Sequence, residues 1–173
     1  DGIAIARILK IEDVAIDASK KEITDTDKEL KTYRDAIEKT IMQLGEIKTH
    51  AMKHMDEHTA EIFDAHVMIA QDPEIVQAVE SKIVEERVNA VHAVDSVGKY
   101  YINFFESMDD AYFKERALDI FDVTLRIQKN ILNIPMIDLS AIQEKTILAA
   151  TDFTPSQISQ IDPNFVIGLI TEV

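Results

Sequence analysis

The chain has no cysteine, and it has only four glycines and four prolines among its 173 residues. Without cysteine there are no disulfides, no thiolate metal ligands and no thiol chemistry, and this composition favours the reducing cytoplasm as the location. No run approaches the roughly 18 consecutive apolar residues of a transmembrane helix, so we expect no membrane span. The first residues, DGIAIARILK, also lack the basic start and long apolar core of a secretory signal peptide.

Positive charge is scarce as well. The chain carries 18 lysines and arginines against 32 aspartates and glutamates, which gives a net charge of -14. Such a surface repels phosphate groups, so neither nucleic acid nor an anionic membrane is expected as a partner. Between positions 56 and 86 there are nine carboxylates and one cation. That segment is either a solvated helical face or a docking surface for a basic partner, and the charge pattern alone does not distinguish the two.

The scarcity of glycine and proline favours long helices between Thr24 and Asn133. Apolar residues recur there at intervals of three and four, which is the period of an amphipathic helix. We therefore predict five helices, over about 27–54, 59–70, 73–86, 90–106 and 110–133.

Capping signals place the starts of these helices. Thr26 followed by Glu29 has the spacing of a capping box. Asp72 before Pro73 supplies an N-cap and a proline at the first helical position. The remaining candidate caps are Asn89 for the fourth helix and Asp109 or Asp110 for the fifth.

The two ends of the chain have a different pattern. Short apolar segments at 3–9, 146–150 and 166–171 predict strands, and Thr154 with Pro155 starts a short helix between the last two. The predicted fold class is mainly α, and α+β overall: a bundle of about four to five helices (21–134) inserted into an α/β unit formed by both chain ends (1–20 and 135–173). Two or three strands with one helix leave an open edge and an uncovered face, so we expect this unit to be incomplete.

Four of the five histidines lie between positions 50 and 66. His50, His54 and His58 recur every fourth residue, and two histidines one helical turn apart can share a metal ion. The HExxH motif is absent, and so is the Glu-x-x-His pattern of di-iron bundles, so we favour surface histidines over a metal site. His66 lies among apolar residues, which favours a half-buried, hydrogen-bonded side chain.

Signatures of other enzyme classes are missing. The chain has no glycine-rich phosphate loop, no GxSxG elbow and no dinucleotide-binding fingerprint. Pairs of carboxylates occur by chance on acidic helices, so they do not indicate a glycosidase. The residues by themselves assign no catalytic group.

Five segments together resemble one family. They are DGIAIARILK, EIFDAHVMIAQDPEI, SMDDAYFKERALDIFDVTLRIQKNIL, DLSAIQEKTILAATDFTPSQISQID and VIGLITEV, in the order found in Enzyme I of the bacterial phosphoenolpyruvate-dependent sugar phosphotransferase system. The resemblance covers essentially the whole chain and corresponds to the first part of that enzyme's N-terminal half. It implies that the α/β unit is the family's swivelling phosphohistidine subdomain, and that the bundle is the subdomain that binds the small carrier protein HPr.

The resemblance also implies a function. Enzyme I moves a phosphoryl group from phosphoenolpyruvate to one of its own histidines and then to a histidine of HPr. In the family that histidine follows the strand matching VIGLITEV, so it is expected beyond Val173, and no residue of this chain is expected to be catalytic. The phosphoenolpyruvate site, the Mg²⁺ cofactor and the homodimer interface belong to a C-terminal domain. This chain alone is therefore expected to be inactive and to hold no cofactor.

The family's HPr-docking residues can be carried over to matching positions of this sequence. They imply an apolar centre surrounded by carboxylates, which would meet basic side chains on HPr. Tyr112 and Arg116 have a second interpretation, as structural residues that link the bundle to the α/β unit. The docking residues implied by the resemblance are Glu57, Ile62, His66, Met68, Ile69, Asp72, Glu74, Ile75, Phe105, Tyr112 and Arg116.

Two alternatives remain open from the sequence. One is a non-enzymatic acidic adaptor of helices that binds a basic protein. The other is a different phosphohistidine-domain enzyme, such as a phosphoenolpyruvate synthase. The residues that follow Val173 would distinguish them, because a Gly-Gly-x-Thr-Ser-His continuation is typical of Enzyme I.

Overall fold

The computed structural model describes the backbone of residues 4–12, 14–54 and 57–172, and the side chains of these residues outside 53–60. Both ends of the chain contribute to a parallel sheet with the strand order β1-β2-β3. The predicted strands at 146–150 and 166–171 are confirmed, whereas the first strand is shorter and later than the predicted 3–9. The strands are β1 (Arg7–Lys10), β2 (Thr146–Ala150) and β3 (Val166–Thr171).

Between β1 and β2 the chain forms long helices that agree closely with the five predicted from the apolar period. A 3-10 turn at Leu139–Ala141 precedes β2, and the short helix α6 (Pro155–Ile158) lies between β2 and β3. The fold is therefore mainly α with a small sheet. The helices are α1 (Thr26–His54), α2 (Glu57–Ala70), α3 (Pro73–Glu86), α4 (Ala90–Glu106) and α5 (Ala111–Ile131).

Three helix starts follow the predicted caps. Asp72 accepts hydrogen bonds from two backbone N–H groups at the start of α3, at 2.9 and 3.1 Å. Asp110 accepts from the N–H of Tyr112 (2.9 Å) at the start of α5. Thr154 and Gln157 form a reciprocal capping box at α6. Local sequence is enough to place these three starts.

The capping box predicted from Thr26 and Glu29 is wrong. Helix α1 already includes Thr26, and the side chain of Asp25 accepts the hydrogen bond from the N–H of Lys28 (3.0 Å). Glu29 instead accepts from the N–H of Ala90 (2.8 Å), the first residue of α4. The side chain of Glu29, which was expected to cap α1, therefore caps α4 instead.

Asn89 precedes α4, as predicted, but its side chain makes no capping hydrogen bond. The amide oxygen accepts from the N–H of Lys21 (2.8 Å), and the amide nitrogen donates to the carbonyl of Ser19 (3.2 Å). Asn89 therefore holds the segment before α1 against the start of α4.

The apolar residues form separate clusters. The main cluster fills the bundle between α1, α3, α4 and α5 around the fully buried Tyr33 and Ile83. A smaller one, at α1 and α2, contains Leu44 and Phe63. A third packs against one face of the sheet, where alternate residues of β2 are buried. On the sheet, Ile8, Leu169 and Ile170 remain exposed, as expected for an incompletely covered α/β unit.

A buried polar cluster joins the bundle to the sheet-bearing part. Asp122 of α5 accepts hydrogen bonds from the backbone N–H and the hydroxyl of Ser156 in α6, both at 2.9 Å. Arg126, one turn further along α5, donates to the same hydroxyl at 3.1 Å. Burial lowers the pKa of Arg126, and the charge of Asp122 opposes that shift. The two carboxylate–serine bonds therefore fix α6 against α5.

Candidate docking surface

The turn between α2 and α3 presents an exposed methionine next to acidic residues. Met68, near the end of α2, is 72% exposed. Glu74 is exposed in the first turn of α3, and the half-buried Asp72 uses its carboxylate as the cap of that helix. The corner therefore combines a flexible apolar side chain with negative charge, which suits an irregular basic partner.

The other apolar residues predicted for this surface point mainly inward. Ile69 and Ile75 pack against the main core of the bundle, and Ile62 is half-buried on α2. The apolar centre of the surface is therefore smaller than the sequence implies, with Met68 as its exposed part. Glu57 begins α2, but its side chain lies outside the described residues, so its docking role stays a prediction.

Helix α4 extends the surface with aromatic residues. The half-buried ring of Phe105 stacks on Phe113 of α5 at a centroid distance of 5.9 Å. Two neighbours were missed from the sequence: the exposed Phe104, whose ring meets Phe105 edge-on, and Tyr101. The spacing of four residues between Tyr101 and Phe105 is the signal that could have placed Tyr101 on the same side of α4, whereas the adjacent position of Phe104 carries no such signal.

Tyr101 connects these aromatic residues to the acidic corner. Burial of its ring, followed by the negative charges of Glu74 and Asp72, raises the pKa of the Tyr101 phenol. Tyr101 and Ile75 also pack against the same apolar cluster, so the start of α3 and the later part of α4 lie side by side.

Tyr112 and Arg116 lie one turn apart at the start of α5. The Nε and Nη2 groups of Arg116 donate to the Tyr112 hydroxyl at 3.3 and 3.2 Å, and Cζ lies 5.2 Å from the centroid of the tyrosine ring. The hydrogen bond to the phenol oxygen raises the pKa of Arg116. The guanidinium is therefore held over an exposed aromatic ring as a fixed positive charge.

His66 is fully buried, so its predicted role as a docking contact requires correction. Its Nε2 lies 3.1 Å from Oδ1 of Asp119 and its ring meets Phe63 edge-on, while its Nδ1 has no hydrogen-bond partner among the residues that the structure describes. A partner resting on the surface does not touch this ring. The structure instead places His66 beneath the surface, where it joins α2 to α5.

In the described part of the chain the hydrogen bonds of Tyr112 and Arg116 give no support to the alternative interpretation, a link to the α/β unit, which stays a prediction. Arg116 bonds to Tyr112 and, through Nη1, to Oδ2 of Asp119 at 3.4 Å, all within α5. A link to the sheet-bearing part comes instead from Asp122, which accepts two hydrogen bonds from Ser156. Sequence reasoning missed Asp119, since its role depends on a histidine 53 positions away.

Several carboxylates of the acidic segment are already paired with cations. Lys48 bonds to Asp64 at 2.6 Å, Arg34 to Glu80 at 2.7 Å and Lys82 to Glu86 at 2.7 Å. The surplus of negative charge along α2 and α3 is therefore smaller than the sequence count suggests. It is greatest where acids lack a neighbouring lysine or arginine in the sequence, as at Asp72 and Glu74.

A cleft of about 490 Å³ separates α1 and α5 from the segments near the sheet. His50 lines this cleft and is half-buried, while the side chains of His54 and His58 lie outside the described residues. Within the described ranges no group of histidines and carboxylates could hold a metal ion. In the same part of the chain no helix is both long and apolar enough to cross a membrane.

Comparison with known proteins places this architecture in a family. Residues 1–116 match the family model described as PEP-utilising enzyme, N-terminal. The phosphoenolpyruvate-protein phosphotransferases of Priestia megaterium and Mycoplasma capricolum are 40% and 43% identical to this chain over 99% and 100% of its length. The chain spans 30% of the length of each of these relatives.

Solved structures agree with the sequence matches. A solution NMR structure of Enzyme I (nEIt) has a TM-score of 0.89 and 34% identity, covering 98% of this chain and 69% of that one. The N-terminal domain of an Enzyme 1 designated Nitrogen shares the fold, with a TM-score of 0.72, 19% identity, and coverage of 98% of this chain and 70% of that one. The resemblance to Enzyme I is thereby confirmed, and the chain belongs to the family of PEP-utilising enzymes, whose N-terminal part it matches.

Proposed function

We propose that this chain is the part of a cytoplasmic phosphoenolpyruvate-protein phosphotransferase that docks the carrier protein HPr. The whole enzyme would take a phosphoryl group from phosphoenolpyruvate onto a histidine beyond Val173 and pass it to HPr. The Mg²⁺ ion, the phosphoenolpyruvate site and the homodimer interface would lie in the C-terminal part. On this proposal no histidine of the present chain carries the phosphoryl group, and the chain alone is inactive.

The observation that supports HPr docking is a group of exposed apolar, aromatic and acidic side chains on four helices that pack against one another. Tyr101 joins α4 to the acidic start of α3, the Phe105–Phe113 stack joins α4 to α5, and Asp119 joins α5 to His66 of α2. The surface carries an exposed methionine, aromatic rings and carboxylates. This mixture is typical of a protein interface with a small apolar centre and a charged rim.

Met68 is the residue whose truncation tests the proposal most directly. We expect Met68→Ala to weaken HPr binding by about 1–3 kcal/mol, because an exposed anchor loses its partner contacts while the bundle core is untouched. Met42→Ala is the matched control, since Met42 on α1 is similarly exposed, at 66% against 72% for Met68. Isothermal titration calorimetry with purified HPr measures both variants against the parent chain.

Repeating the same titration at several salt concentrations gives a second test. Affinity should fall as ionic strength rises, because the rim of the surface is charged. Equal affinities of Met68→Ala and the parent chain would remove Met68 from the site. Failure of the parent chain to bind HPr at low salt would overturn the docking function itself.

A further inference from the structure

Asp119 has both carboxylate oxygens occupied, and the two partners belong to different layers of the bundle. Oδ1 lies 3.1 Å from Nε2 of the fully buried His66, and Oδ2 accepts from Nη1 of Arg116 at 3.4 Å. Arg116 in turn donates to the hydroxyl of Tyr112, whose side chain is exposed. A single chain of contacts therefore runs from the interior of α2 to the surface of α5.

This arrangement restricts side chains that would otherwise be mobile. An arginine at a surface loses rotamer entropy when it is immobilised, and a binding partner normally has to supply the corresponding free energy. Here the carboxylate of Asp119 and the ring of Tyr112 hold the guanidinium before any partner arrives. Because Asp119 is itself anchored to a buried ring, its own position is fixed as well.

We propose that Asp119 is a positioning residue of the docking surface: it holds Arg116 over Tyr112 by anchoring to His66, so that α2 and α5 present one preformed face. This inference rests on the proposed docking function, and it assigns to His66 an indirect role beneath the surface. The partner contacts Arg116 and Tyr112, while Asp119 and His66 act only through them.

The first test needs no partner. In the parent chain the Nε–Hε group of Arg116 should give a distinct, slowly exchanging NMR signal, because Nε donates to Tyr112. Asp119→Asn should move this signal towards that of a free arginine and broaden it. An unchanged Arg116 signal in Asp119→Asn would overturn the positioning role, whether or not HPr binds.

The second test is a double-mutant cycle on HPr affinity with Asp119→Asn, Arg116→Ala and the double variant. We expect Asp119→Asn alone to weaken binding about three- to tenfold, as for loss of a charge-assisted contact. In the Arg116→Ala background the same change should alter affinity less than about twofold, because its effect passes through Arg116. An equal loss in both backgrounds would contradict that mechanism.

Asp95→Asn is the matched control. Asp95 is a similarly shielded carboxylate that accepts from Lys99 on its own helix and from Gln128 on α5, at 2.7 and 3.3 Å. It has the same kind of two-sided pairing, but it lies on the first half of α4. If Asp95→Asn weakens HPr binding as much as Asp119→Asn does, general loosening of the bundle explains the effect and the proposal fails.

Thermal unfolding of each variant is recorded before binding is measured. Should Asp119→Asn not fold, Asp119→Glu replaces it, because glutamate keeps the charge and displaces the carboxylate by one methylene group. The Arg116 signal and the cycle with Arg116→Ala are then read by the same criteria. If the parent chain does not bind HPr, the docking function fails while the NMR signal still decides whether Asp119 positions Arg116.

Discussion

Tyr33 shows how a single buried residue makes the stability of this chain depend on pH. It is fully buried in the main core of the bundle. Burial, and secondarily the negative charge of Glu80, raise the pKa of the Tyr33 phenol above its ordinary value of about 10. In the unfolded chain the phenol ionises near its ordinary pKa, so the folded state alone keeps the proton at higher pH. The contribution of Tyr33 to stability is therefore complete below about pH 10 and is lost as pH rises towards the folded-state pKa.

We expect Tyr33→Phe to flatten this alkaline dependence. Between about pH 8 and about pH 11 the parent chain should lose about 1 kcal/mol of unfolding free energy through Tyr33, and the variant should not lose that share. Urea denaturation at the two pH values measures the difference. Tyr100→Phe, at an exposed position of α4, controls for the removal of a tyrosine as such. A variant as pH-dependent as the parent chain would contradict the assignment to Tyr33.

At the scale of helices, the approach of α4 to α5 depends on one glycine. A Cβ atom added at Gly98 would lie 2.6 Å from Cγ2 and 2.8 Å from Oγ1 of Thr124. We therefore expect Gly98→Ala to lower the free energy of unfolding by about 1–3 kcal/mol through overpacking. Gly45→Ala, inside α1 with nothing within 4 Å of the new atom, should instead raise it by about 0.5–1 kcal/mol.

Chemical denaturation of both glycine variants measures the expected decrease in unfolding free energy for Gly98→Ala and the expected increase for Gly45→Ala. Adding Thr124→Ser to Gly98→Ala removes the methyl group nearest to the new Cβ, so part of the lost stability should return. A Gly98→Ala variant as stable as the parent chain would mean that α4 and α5 separate at little cost.

The helices also show what the sequence can and cannot predict. The starts of α3, α5 and α6 depend on residues within a few positions of each helix, so they were predicted correctly. The roles of Glu29 and Asn89 were predicted wrongly, because their partners lie more than sixty positions away. The apolar period places Ile69 and Ile75 on a helix but does not say that they face the core. The contact between Asp119 and His66 likewise could not be predicted, because the sequence around each residue carries no information about the other.

At the scale of the whole molecule, one chain forms two units that are joined by hydrogen bonds in two places. We propose the boundaries 21–134 for the helical unit and 1–20 with 135–173 for the α/β unit, as predicted from the sequence. One buried polar connection between these ranges is the pair of hydrogen bonds that Ser156 donates to Asp122. A cleft of about 490 Å³ lies beside it, so the two units are not in contact over their full length.

Ser156→Ala should weaken this connection in particular. The hydroxyl donates to the buried carboxylate of Asp122 and accepts from Arg126, so its removal leaves buried charged groups with fewer partners. We expect a loss of about 1–3 kcal/mol in unfolding free energy. Hydrogen exchange should show the larger loss of protection in β2 and β3, because the bundle keeps its own core when α6 is released.

Ser159→Ala is the control for the loss of a buried serine hydroxyl that does not bond to α5. Ser159 is also buried, and its hydroxyl donates only to the carbonyl of Pro155 in the preceding turn among the bonds found in the described part of the chain. Its loss should cost about 0.5–1.5 kcal/mol and leave the difference in protection between sheet and bundle unchanged. If Ser159→Ala matches Ser156→Ala in both measurements, the hydrogen bonds between α5 and α6 contribute no more to stability than a local bond within α6. The two units would then be held together mainly by their apolar contacts.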